Sequence, residues 1–288
     1  MKGRVIKGLG SIFTVYYNGA YYKCSARGKI KQDTKILIGD YVEFKKHSHD
    51  EYVIERVLDR KNKLIRPEIA NIDGIFMMIS KSPKPDLVMV DKMLLYSQLN
   101  NIEFTLIVNK LDILDHEFIE KIKNEYEGVT NVIFVSAKEK TNIDKLFDLI
   151  EGKFITLSGQ SAVGKSALLN SLDSSLNIKE GELSKKVSRG KHTTRHTQFY
   201  NIKDNIFIAD TPGFSLLDVE LDHNRLSELY PDFEEYVSNC KIRTCNHVEE
   251  RQCGVKQAVE SEKINVQRYE RYKKIYAELK KKWETKYD

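Results

Sequence analysis

The stretch Gly159-Gln-Ser-Ala-Val-Gly164-Lys165-Ser166 fits the pattern G-x-x-x-x-G-K-[S/T], in which a glycine-rich loop joins a strand to a helix. The apolar run Phe154-Ile-Thr-Leu157 predicts the strand, and Ser166-Ala-Leu-Leu-Asn-Ser-Leu172 predicts the start of the helix. In that setting, backbone N–H groups and the positive end of the helix can surround phosphate oxygens. Lys165 would reach the outer phosphates, and the Ser166 hydroxyl could ligate Mg²⁺. The alternative is a glycine-rich turn that matches by chance.

Length and composition set the scale of the molecule. The chain has 288 residues, of which 41% are hydrophobic, so it can form two globular domains, or three if a metal stabilises one of them. No stretch reaches the roughly 18 to 20 uninterrupted apolar residues of a membrane span, and the N-terminus leads into no apolar signal core, so we expect a cytoplasmic protein. The formal net charge of +5 suits a polyanionic partner but is equally compatible with an ordinary surface.

Two short motifs at other strand ends indicate a guanine base. Asn109-Lys-Leu-Asp112 follows the apolar run Phe104-Thr-Leu-Ile-Val108, at the carboxyl edge where α/β sheets bind ligands. The Asp112 carboxylate can accept hydrogen bonds from N1 and from the exocyclic amino group of guanine, whereas adenine lacks that amino group. Ser136-Ala-Lys138 follows the strand-like run Val132-Ile-Phe-Val135, and its backbone can hold the base carbonyl. Each motif alone is compatible with a plain turn, but together they disfavour an ATPase or a kinase.

A fourth motif, Asp210-Thr-Pro-Gly213, follows the strand-like run Asn205-Ile-Phe-Ile-Ala209. Asp210 is suited to holding Mg²⁺ through a water molecule, and the Gly213 N–H is suited to sensing a γ-phosphate. A Pro-Gly turn without a ligand is the alternative. Many GTPases carry a glutamine after this motif to orient the attacking water, but this chain has Phe214, whose apolar side chain cannot polarise water. Another group must therefore position the water.

Together the four motifs predict a GTP site. The residues expected to contact GTP are Asn109, Lys110, Asp112, Ser136, Ala137, Lys138, Gly159, Gln160, Ser161, Ala162, Val163, Gly164, Lys165, Ser166, Ala167, Asp210 and Gly213. Lys165 is also a predicted catalytic residue, and Ser166 and Asp210 are predicted Mg²⁺ ligands.

The order of the motifs along the chain is unusual. In translation-factor-like GTPases the phosphate loop precedes the guanine motifs, whereas here it follows them. The pattern predicts alternating strands and helices, with strands over 73–80, 103–109, 131–136 and 153–158 and helices over 88–101, 114–127 and 141–151. Thr141 and Asp144 are expected to cap the last of these helices. A circular permutation with its join at the surface explains the order, because the same strands can keep their places in the sheet.

Three of the four cysteines lie close together in the sequence. Cys240, Cys245 and Cys253 bracket His247, whereas Cys24 lies alone in a strand-like run. Three thiolates and one imidazole close a tetrahedral structural zinc site with no position left for water. Reduced thiols without a metal are the alternative, and a disulfide is disfavoured by the expected compartment and by the odd number of clustered thiols. We expect one structural Zn²⁺ ion.

The N-terminal segment has the pattern of a small β domain. Ser11-Ile-Phe-Thr-Val-Tyr-Tyr17 and Ala20-Tyr-Tyr-Lys-Cys-Ser-Ala26 flank Asn18-Gly19, which is a strong hairpin signal. The runs Tyr41–Phe44 and Tyr52–Leu58 bring the strand count near the five of an OB-fold. Side chains that could stack on RNA or clamp it are Tyr16, Tyr17, Tyr21, Tyr22, Lys23, Arg27, Lys29 and Lys31. The alternative is that half of these tyrosines fill the barrel.

The permuted motif order, the β-rich N-terminal segment and the C-terminal Cys/His cluster together resemble the ribosome small subunit-dependent GTPase A (RsgA) family of bacteria, over essentially the whole chain. The resemblance implies a circularly permuted α/β P-loop GTPase domain (67–220) between an N-terminal all-β OB-fold that binds RNA (1–66) and a mostly helical C-terminal domain that binds zinc (221–288). A linker is expected near residues 61–67. The resemblance to the family further implies GTP hydrolysis that is stimulated by the small ribosomal subunit and coupled to the late maturation of that subunit. The expected partners are that subunit, its rRNA and GTP or GDP, and we expect a monomer.

The segment Ser188–Thr197 lies where a nucleotide-sensing switch is expected, between the phosphate loop and Asp210. The resemblance places the family motif G-[R/K]-H-T-T on Gly190–Thr194. It implies that Thr194 contacts Mg²⁺ and the γ-phosphate and that His192 positions the attacking water, a task for which histidine is suited near neutral pH. Alternatively, His192 is a loop residue that contacts rRNA phosphate or nothing, and Thr193 and Thr194 could exchange roles.

A helix is predicted over Ile264–Lys282 near the C-terminus. Its apolar and aromatic residues recur at three- and four-residue spacing, at Val266, Tyr269, Tyr272, Tyr276 and Leu279. The remaining face is basic and either solvated or in contact with rRNA. For the whole protein, the alternative to an enzyme is an RNA-binding assembly scaffold that is controlled by GTP and hydrolyses it incidentally, and Phe214 is the feature that supports this alternative.

Overall fold

The N-terminal segment forms a closed five-stranded barrel in the computed structural model, which describes residues 1–26, 35–48, 51–64, 68–179, 198–202, 206–210 and 221–285. Its strands are β1 (Lys2–Leu9), β2 (Ile12–Tyr17), β3 (Ala20–Ala26), β4 (Tyr41–Lys46) and β5 (Tyr52–Val57). They are ordered β1-β2-β3-β5-β4, with β1 pairing to β4 to close the barrel. The predicted OB-like fold is confirmed. The sequence pattern did not identify β1, because Gly3 and Gly8 interrupt its alternation.

Strand alternation decides where the four tyrosines of the β2–β3 hairpin lie. Tyr17 and Tyr22 pack on the barrel core of Val5, Val15, Cys24, Val42, Phe44 and Ile54. Tyr16 faces the neighbouring sheet, where its ring centroid lies 5.0 Å from that of Phe207. The Tyr21 hydroxyl accepts a hydrogen bond from Asn201, although half of this residue is exposed. Two of the four tyrosines, Tyr17 and Tyr22, therefore fill the barrel, as the alternative to RNA contact expects. The other two contact the neighbouring sheet.

Of the predicted linker, residues 61–67, the structure describes residues 61–64, and residues 65–67 lie outside the described residues. Strands β6 (Lys63–Leu64) and β7 (Ile69–Ala70) pair as a small sheet, and Leu64 is fully buried. The buried Arg4 guanidinium donates to the Asn71 carbonyl at 3.1 Å and lies over the Phe154 ring. The barrel and the following sheet are thus joined by buried contacts.

The central part of the described chain is a six-stranded sheet with helices on both faces. Its strands are β8 (Gly74–Ile79), β9 (Glu103–Val108), β10 (Asn131–Phe134), β11 (Phe154–Gly159), β12 (Gln198–Ile202) and β13 (Ile206–Asp210). They are ordered β10-β9-β8-β11-β13-β12, and all pairs are parallel except that of β12 with β13. The helices are α1 (Leu87–Leu99), α2 (His116–Tyr126), α3 (Ile143–Ile150) and α4 (Lys165–Leu172). The predicted alternation of strands and helices is confirmed.

Alternating side chains of β8 show how the sheet separates two cores. Ile75, Met77 and Ile79 pack under α1 and α2, whereas Phe76 and Met78 pack under α3 and α4. Both faces of the strand are apolar because helices cover both, as is usual for parallel sheets.

The predicted cap of α3 is wrong. The N-cap residue is Asn142, which has φ +57° and makes no capping hydrogen bond; its side chain donates instead to the Phe134 carbonyl at 2.8 Å. Thr141 bonds Ser136 through both backbone groups, so it belongs to the loop that follows β10. The connection from α3 to β11 passes through the exposed residues Glu151 and Gly152, which agrees with a permutation join at the surface.

The C-terminal part is mostly helical. It contains α5 (Glu234–Val237), α6 (Gly254–Glu260), α7 (Val266–Thr285) and two short 3₁₀ helices, His223–Leu229 and Pro231–Phe233. Tyr269, Tyr272, Ile275 and Leu279 are buried along α7. Within the described ranges, no helix combines the length and the apolar character needed to cross a membrane.

Candidate guanine nucleotide site and metal centre

A cavity of about 800 Å³ opens at the carboxyl ends of the parallel strands. It is lined by Asn109, Lys110, Asp112, Ile113, Ala137, Lys138, Lys140, Ser161, Ala162, Gly164, Lys165, Ser166, Ala167, Asn170 and Ser171. The two guanine motifs and the phosphate loop, which lie far apart in the sequence, therefore meet in one place. Among the predicted residues whose side chains the structure describes, four are outside this lining: Ser136, Gly159, Gln160 and Val163. Four lining residues belong to none of the sequence motifs: Ile113, Lys140, Asn170 and Ser171. Only the first two have a signal in the sequence, because each lies within two residues of a motif.

The phosphate loop needs its glycines for close approach. Gly164 has φ +101°, and a Cβ there would lie 2.4 Å from Asn109 Nδ2. Gly159 has φ +149°, and a Cβ there would lie 2.4 Å from the Met78 carbonyl oxygen. Lys165 Nζ donates to the Gly159 carbonyl at 2.6 Å and to the Gln160 carbonyl at 3.0 Å, which places the ammonium within the loop. Helix α4 starts at Lys165, so its N-terminus faces the same space.

The side chain of Asn109 ties three motifs together. Its Nδ2 donates to the Val163 carbonyl of the phosphate loop at 2.9 Å. Its Oδ1 accepts from the Ala137 N–H of the second guanine motif at 3.0 Å. The residue is almost fully buried, so both hydrogen bonds are shielded from water.

Asp112 is held in place by the second guanine motif. Ser136 Oγ donates to Asp112 Oδ1 at 2.6 Å, and this hydrogen bond lowers the pKa of the Asp112 carboxyl. A carboxylate with a lowered pKa stays ionised near neutral pH, which is the state that accepts two hydrogen bonds from a guanine edge.

Lys110 adopts a left-handed backbone conformation, with φ +67°. Its Nζ donates to the Ala162 carbonyl of the phosphate loop at 2.9 Å and to the Ser82 carbonyl at 2.6 Å. Ser82 belongs to the loop between β8 and α1, which no sequence motif had indicated.

Of the other predicted GTP and Mg²⁺ contacts, Asp210 lies at the end of a described segment, and the rest lie outside the described residues. Asp210 ends β13, whose backbone pairs in parallel with β11 at Leu157, two residues before Gly159. His192, Thr193, Thr194, Gly213 and Phe214 lie outside the described residues.

The four predicted zinc ligands come together in the C-terminal part. Their candidate ligand atoms all lie within 4.8 Å of one another. The Cys240 and Cys253 sulfurs are 3.9 Å apart, and His247 Nδ1 lies 3.5 Å from the first and 3.3 Å from the second. A tetrahedral site with Zn–S bonds of about 2.3 Å and a Zn–N bond of about 2.0 Å places sulfurs about 3.8 Å apart and nitrogen about 3.5 Å from sulfur. The cluster could therefore hold a metal ion.

The surroundings of the cluster also suit a cation. Burial raises the pKa of the Cys245 thiol to about 12, raises that of Cys253 and lowers that of His247, so negative charge on the sulfurs needs a positive neighbour. The Tyr269 hydroxyl donates to the His247 carbonyl at 2.7 Å and the Tyr272 hydroxyl donates to the carbonyl of Asn246 at 2.6 Å. Helix α7 thus fixes the backbone that carries the histidine.

Known proteins resemble this chain along nearly its whole length. The family model described as RsgA GTPase matches residues 57–220, and the one described as RsgA N-terminal domain matches residues 2–54. A relative from Clostridium beijerinckii, named small ribosomal subunit biogenesis GTPase RsgA, is 38% identical over 292 residues, with 98% of this chain and all of the relative covered. A relative of the same name from Agathobacter rectalis is 36% identical over 297 residues, with 97% and 98% covered.

Two solved structures share the fold. The crystal structure of YjeQ from Thermotoga maritima superposes with a TM-score of 0.83 at 32% identity and covers 96% of this chain and 98% of that one. YloQ, described as a circularly permuted GTPase, superposes with a TM-score of 0.79 at 28% identity and covers 98% and 95%. The inverted motif order is therefore shared with a solved permuted GTPase, and the chain belongs to the RsgA family of GTPases.

Proposed function

We propose that this protein is a Mg²⁺-dependent GTP hydrolase that binds the small ribosomal subunit, is stimulated by it and couples hydrolysis to its late maturation. The observation that carries the proposal is the convergence of two guanine motifs and a phosphate loop on one cavity, in a chain whose relatives are named for biogenesis of that subunit.

The residues around the cavity divide the work by the part of GTP that they meet. The Asp112 carboxylate accepts from the guanine edge, and the backbone of Ser136–Lys138 holds the base carbonyl. The loop Gly159–Ala167 surrounds the phosphates, and Lys165 stabilises the charge that develops on the outer phosphate oxygens. The Mg²⁺ ligands are Ser166, Thr194 and Asp210, and the ion would supply charge neutralisation between the phosphates. Gly213 contacts the γ-phosphate through its N–H, and His192 orients the attacking water.

The metal at the Cys/His cluster is proposed to be one structural zinc ion. Three sulfurs and one nitrogen complete a tetrahedron and leave no position for a water or a substrate, so the ion stabilises the fold. The proposed division of the chain is 1–66, 67–220 and 221–288, for the RNA-binding barrel, the GTPase domain and the zinc domain. We place the protein in the cytoplasm as a monomer, where its proposed partners are the small subunit, its rRNA and GTP or GDP.

The experiment that tests this function is the GTP hydrolysis rate of the purified protein with and without small ribosomal subunits, with large subunits as the control and ATP as a competitor. We expect stimulation by the small subunit alone, no competition by ATP, and loss of the stimulated rate by at least about tenfold in His192→Ala and Thr194→Ala. Stimulation by both subunits, or competition by ATP, would contradict the proposed partner or nucleotide.

The scaffold alternative rests on Phe214, which stands where many GTPases have their catalytic glutamine. It predicts that nucleotide controls binding to the subunit while hydrolysis stays slow. Unchanged turnover in both variants, together with subunit binding that differs between GDP and a non-hydrolysable GTP analogue, would favour the scaffold.

A further inference from the structure

The loop between β8 and α1, residues 80–86, borders the guanine site without carrying any recognised motif. Ser80 in this loop is fully buried, and its neighbour Ile79 accepts a hydrogen bond from the Asn109 N–H at 2.9 Å. On the other side, Lys81 forms an ion pair with Asp115, the N-cap residue of α2. The loop is therefore fastened to both ends of the segment that contains the first guanine motif.

The Ser82 carbonyl is the point where this loop meets the motif. It accepts two hydrogen bonds, one from Lys110 Nζ at 2.6 Å and one from Ser80 Oγ at 2.8 Å. The second bond restrains the orientation of the Ser82 peptide, and that orientation decides whether the carbonyl points at the ammonium. Since Lys110 Nζ also bonds Ala162, the ammonium joins this loop to the phosphate loop.

Lys110 lines the nucleotide cavity, whereas Ser80 does not. A hydrogen-bonded route from Ser80 to the cavity lining runs through the Ser82 carbonyl to Lys110. Lys110 lies two residues before Asp112 in the first guanine motif and both line the cavity, whereas Lys165 donates to two carbonyls within the phosphate loop.

We propose that Ser80 is a positioning residue for guanine binding: its hydroxyl orients the Ser82 carbonyl, which in turn holds the Lys110 side chain of the first guanine motif in the cavity wall. This inference rests on the proposed GTP site. It assigns a role in nucleotide affinity to a residue that lies outside all four motifs. When the Ser82 contact is weakened, Lys110 keeps its hydrogen bond to Ala162 of the phosphate loop, so the effect falls on the base, which GDP and GTP share.

The test compares Ser80→Ala with Ser97→Ala. Ser97 is also fully buried and also donates its hydroxyl to a backbone carbonyl, that of Leu94 at 2.6 Å, but it lies in the last turns of α1, outside the cavity lining. The Kd values of fluorescent GDP and GTP analogues are measured, together with inhibition by inorganic triphosphate, which has no base. We expect Ser80→Ala to raise both Kd values about fivefold, the scale of one hydrogen bond, with the triphosphate inhibition constant and the kcat at saturating GTP unchanged. Ser97→Ala should match the wild type in all of these.

A double-mutant cycle with Lys110→Ala separates positioning from a general loss of structure. If Ser80 acts through Lys110, Ser80→Ala has no further effect on the GDP Kd once Lys110 is truncated. A fivefold effect that persists in the Lys110→Ala background overturns the inference, and so does a Ser80→Ala protein that binds GDP as well as Ser97→Ala does. An equal loss of GDP and triphosphate binding overturns it as well. Failure of the underlying GTP site would appear separately, as wild-type protein that does not prefer GDP to ADP.

Discussion

The Ser136 hydroxyl connects the two guanine motifs at a single point. It donates to Asp112 Oδ1 at 2.6 Å and accepts from the Glu139 N–H at 3.1 Å, so it fixes both the carboxylate and the loop that follows β10. Its hydrogen bond is also the largest cause of the lowered pKa of Asp112. One hydroxyl thus holds the group proposed to recognise guanine and favours its ionised form.

Replacement of Ser136 should therefore weaken guanine binding and change its pH dependence. In Ser136→Ala we expect the GDP Kd to rise about tenfold at pH 7, since a hydrogen bond to a charged group is lost. Because the pKa of Asp112 is lowered, the wild-type carboxylate stays ionised, and able to accept two hydrogen bonds, down to low pH. It loses that ability only when the pH falls through the lowered pKa. Without the hydroxyl the pKa of Asp112 rises toward the ordinary value of an aspartate, so the loss of affinity begins at higher pH. GDP titrations between pH 4 and 8 measure both effects.

The same titrations on Ser97→Ala provide the control, because that hydroxyl is buried away from the cavity lining. A Ser136→Ala protein whose GDP Kd stays at the wild-type value at every pH would show that the 2.6 Å contact contributes nothing to recognition.

At this scale the sequence predicts residues whose type and spacing carry the chemistry, and it misses those that act through shape. Gly164 and Asp112 are recognisable from local patterns, because a phosphate loop needs glycine and a guanine edge needs a carboxylate. Asn170 has no such pattern. Its side chain bonds both backbone groups of Ile178, at 2.8 and 2.9 Å, and forms part of the cavity wall only because α4 places it there.

Helix α7 shows how an element can depart from its periodic pattern. Val266 was predicted to pack but is half exposed, whereas the charged residue Arg268 is almost fully buried. Arg268 donates to both carboxylate oxygens of Asp232, at 2.9 and 3.0 Å, and to Asp91 of α1 at 2.9 Å. Arg271 pairs with the same Asp91 and with Glu125 of α2. Two arginines thus join the C-terminal part to two helices of the GTPase sheet.

Loss of Arg268 should destabilise the protein strongly. Arg268→Met leaves Asp232 without its partner and Asp91 with Arg271 as its remaining cation, and breaking a buried pair in this way costs about 3–5 kcal/mol. The matched control is Arg225→Met, because Arg225 pairs with Glu228 at an exposed site, where the expected cost is below about 1 kcal/mol. Trp283, the one tryptophan of the chain, lies on α7, so urea unfolding followed by its fluorescence reports on this element.

Equal shifts of the unfolding midpoint in the two variants would show that the buried cluster is no stronger than a surface pair. Adding Asp232→Leu to Arg268→Met should recover part of the loss, since it removes the carboxylate that Arg268→Met leaves unpaired.

The partners of Arg268 explain why the sequence could not reveal this cluster. Asp91 lies 177 positions away and Asp232 lies 36 positions away. Helical periodicity describes one element at a time and assigns charged positions to the solvent-facing side. It therefore predicts that an arginine such as Arg268 lies on the basic face, even where distant carboxylates bury it. The positions of Tyr269, Tyr272 and Leu279 were predicted correctly because their burial follows the repeat of the helix itself.

For the whole molecule, motif order was enough to predict the permutation, but not the contacts that unite the parts. Helix α1 belongs to two cores, because Leu95 packs with the C-terminal part while Tyr96 packs with the sheet. The barrel meets the sheet through Arg4 and Tyr16. These contacts connect residues that are distant in sequence, and each depends on a fold that must form first.

The metal cluster takes no part in lining the nucleotide cavity. If the ion held by this cluster is structural, removal of the ion should unfold the C-terminal part and leave guanine binding nearly unchanged. In Cys253→Ser, or in the wild type with a strong zinc chelator, we expect zinc content to fall below one per chain. The thermal midpoint reported by Trp283 should then drop by at least about 5 °C, because metal binding and folding are coupled.

The nucleotide site should respond differently, because its three motifs are tied to one another by Asn109 and Lys110 within the sheet. We expect the GDP Kd of Cys253→Ser, measured well below its midpoint, to stay within about twofold of the wild-type value. Cys24→Ala is the control, since this thiol lies in the barrel core outside the metal cluster and its loss should leave the zinc content at one per chain. A loss of zinc in Cys24→Ala would contradict the assigned ligands. A fall in GDP affinity that parallels zinc loss would show instead that α7 and its arginines transmit the state of the metal centre to the GTPase sheet.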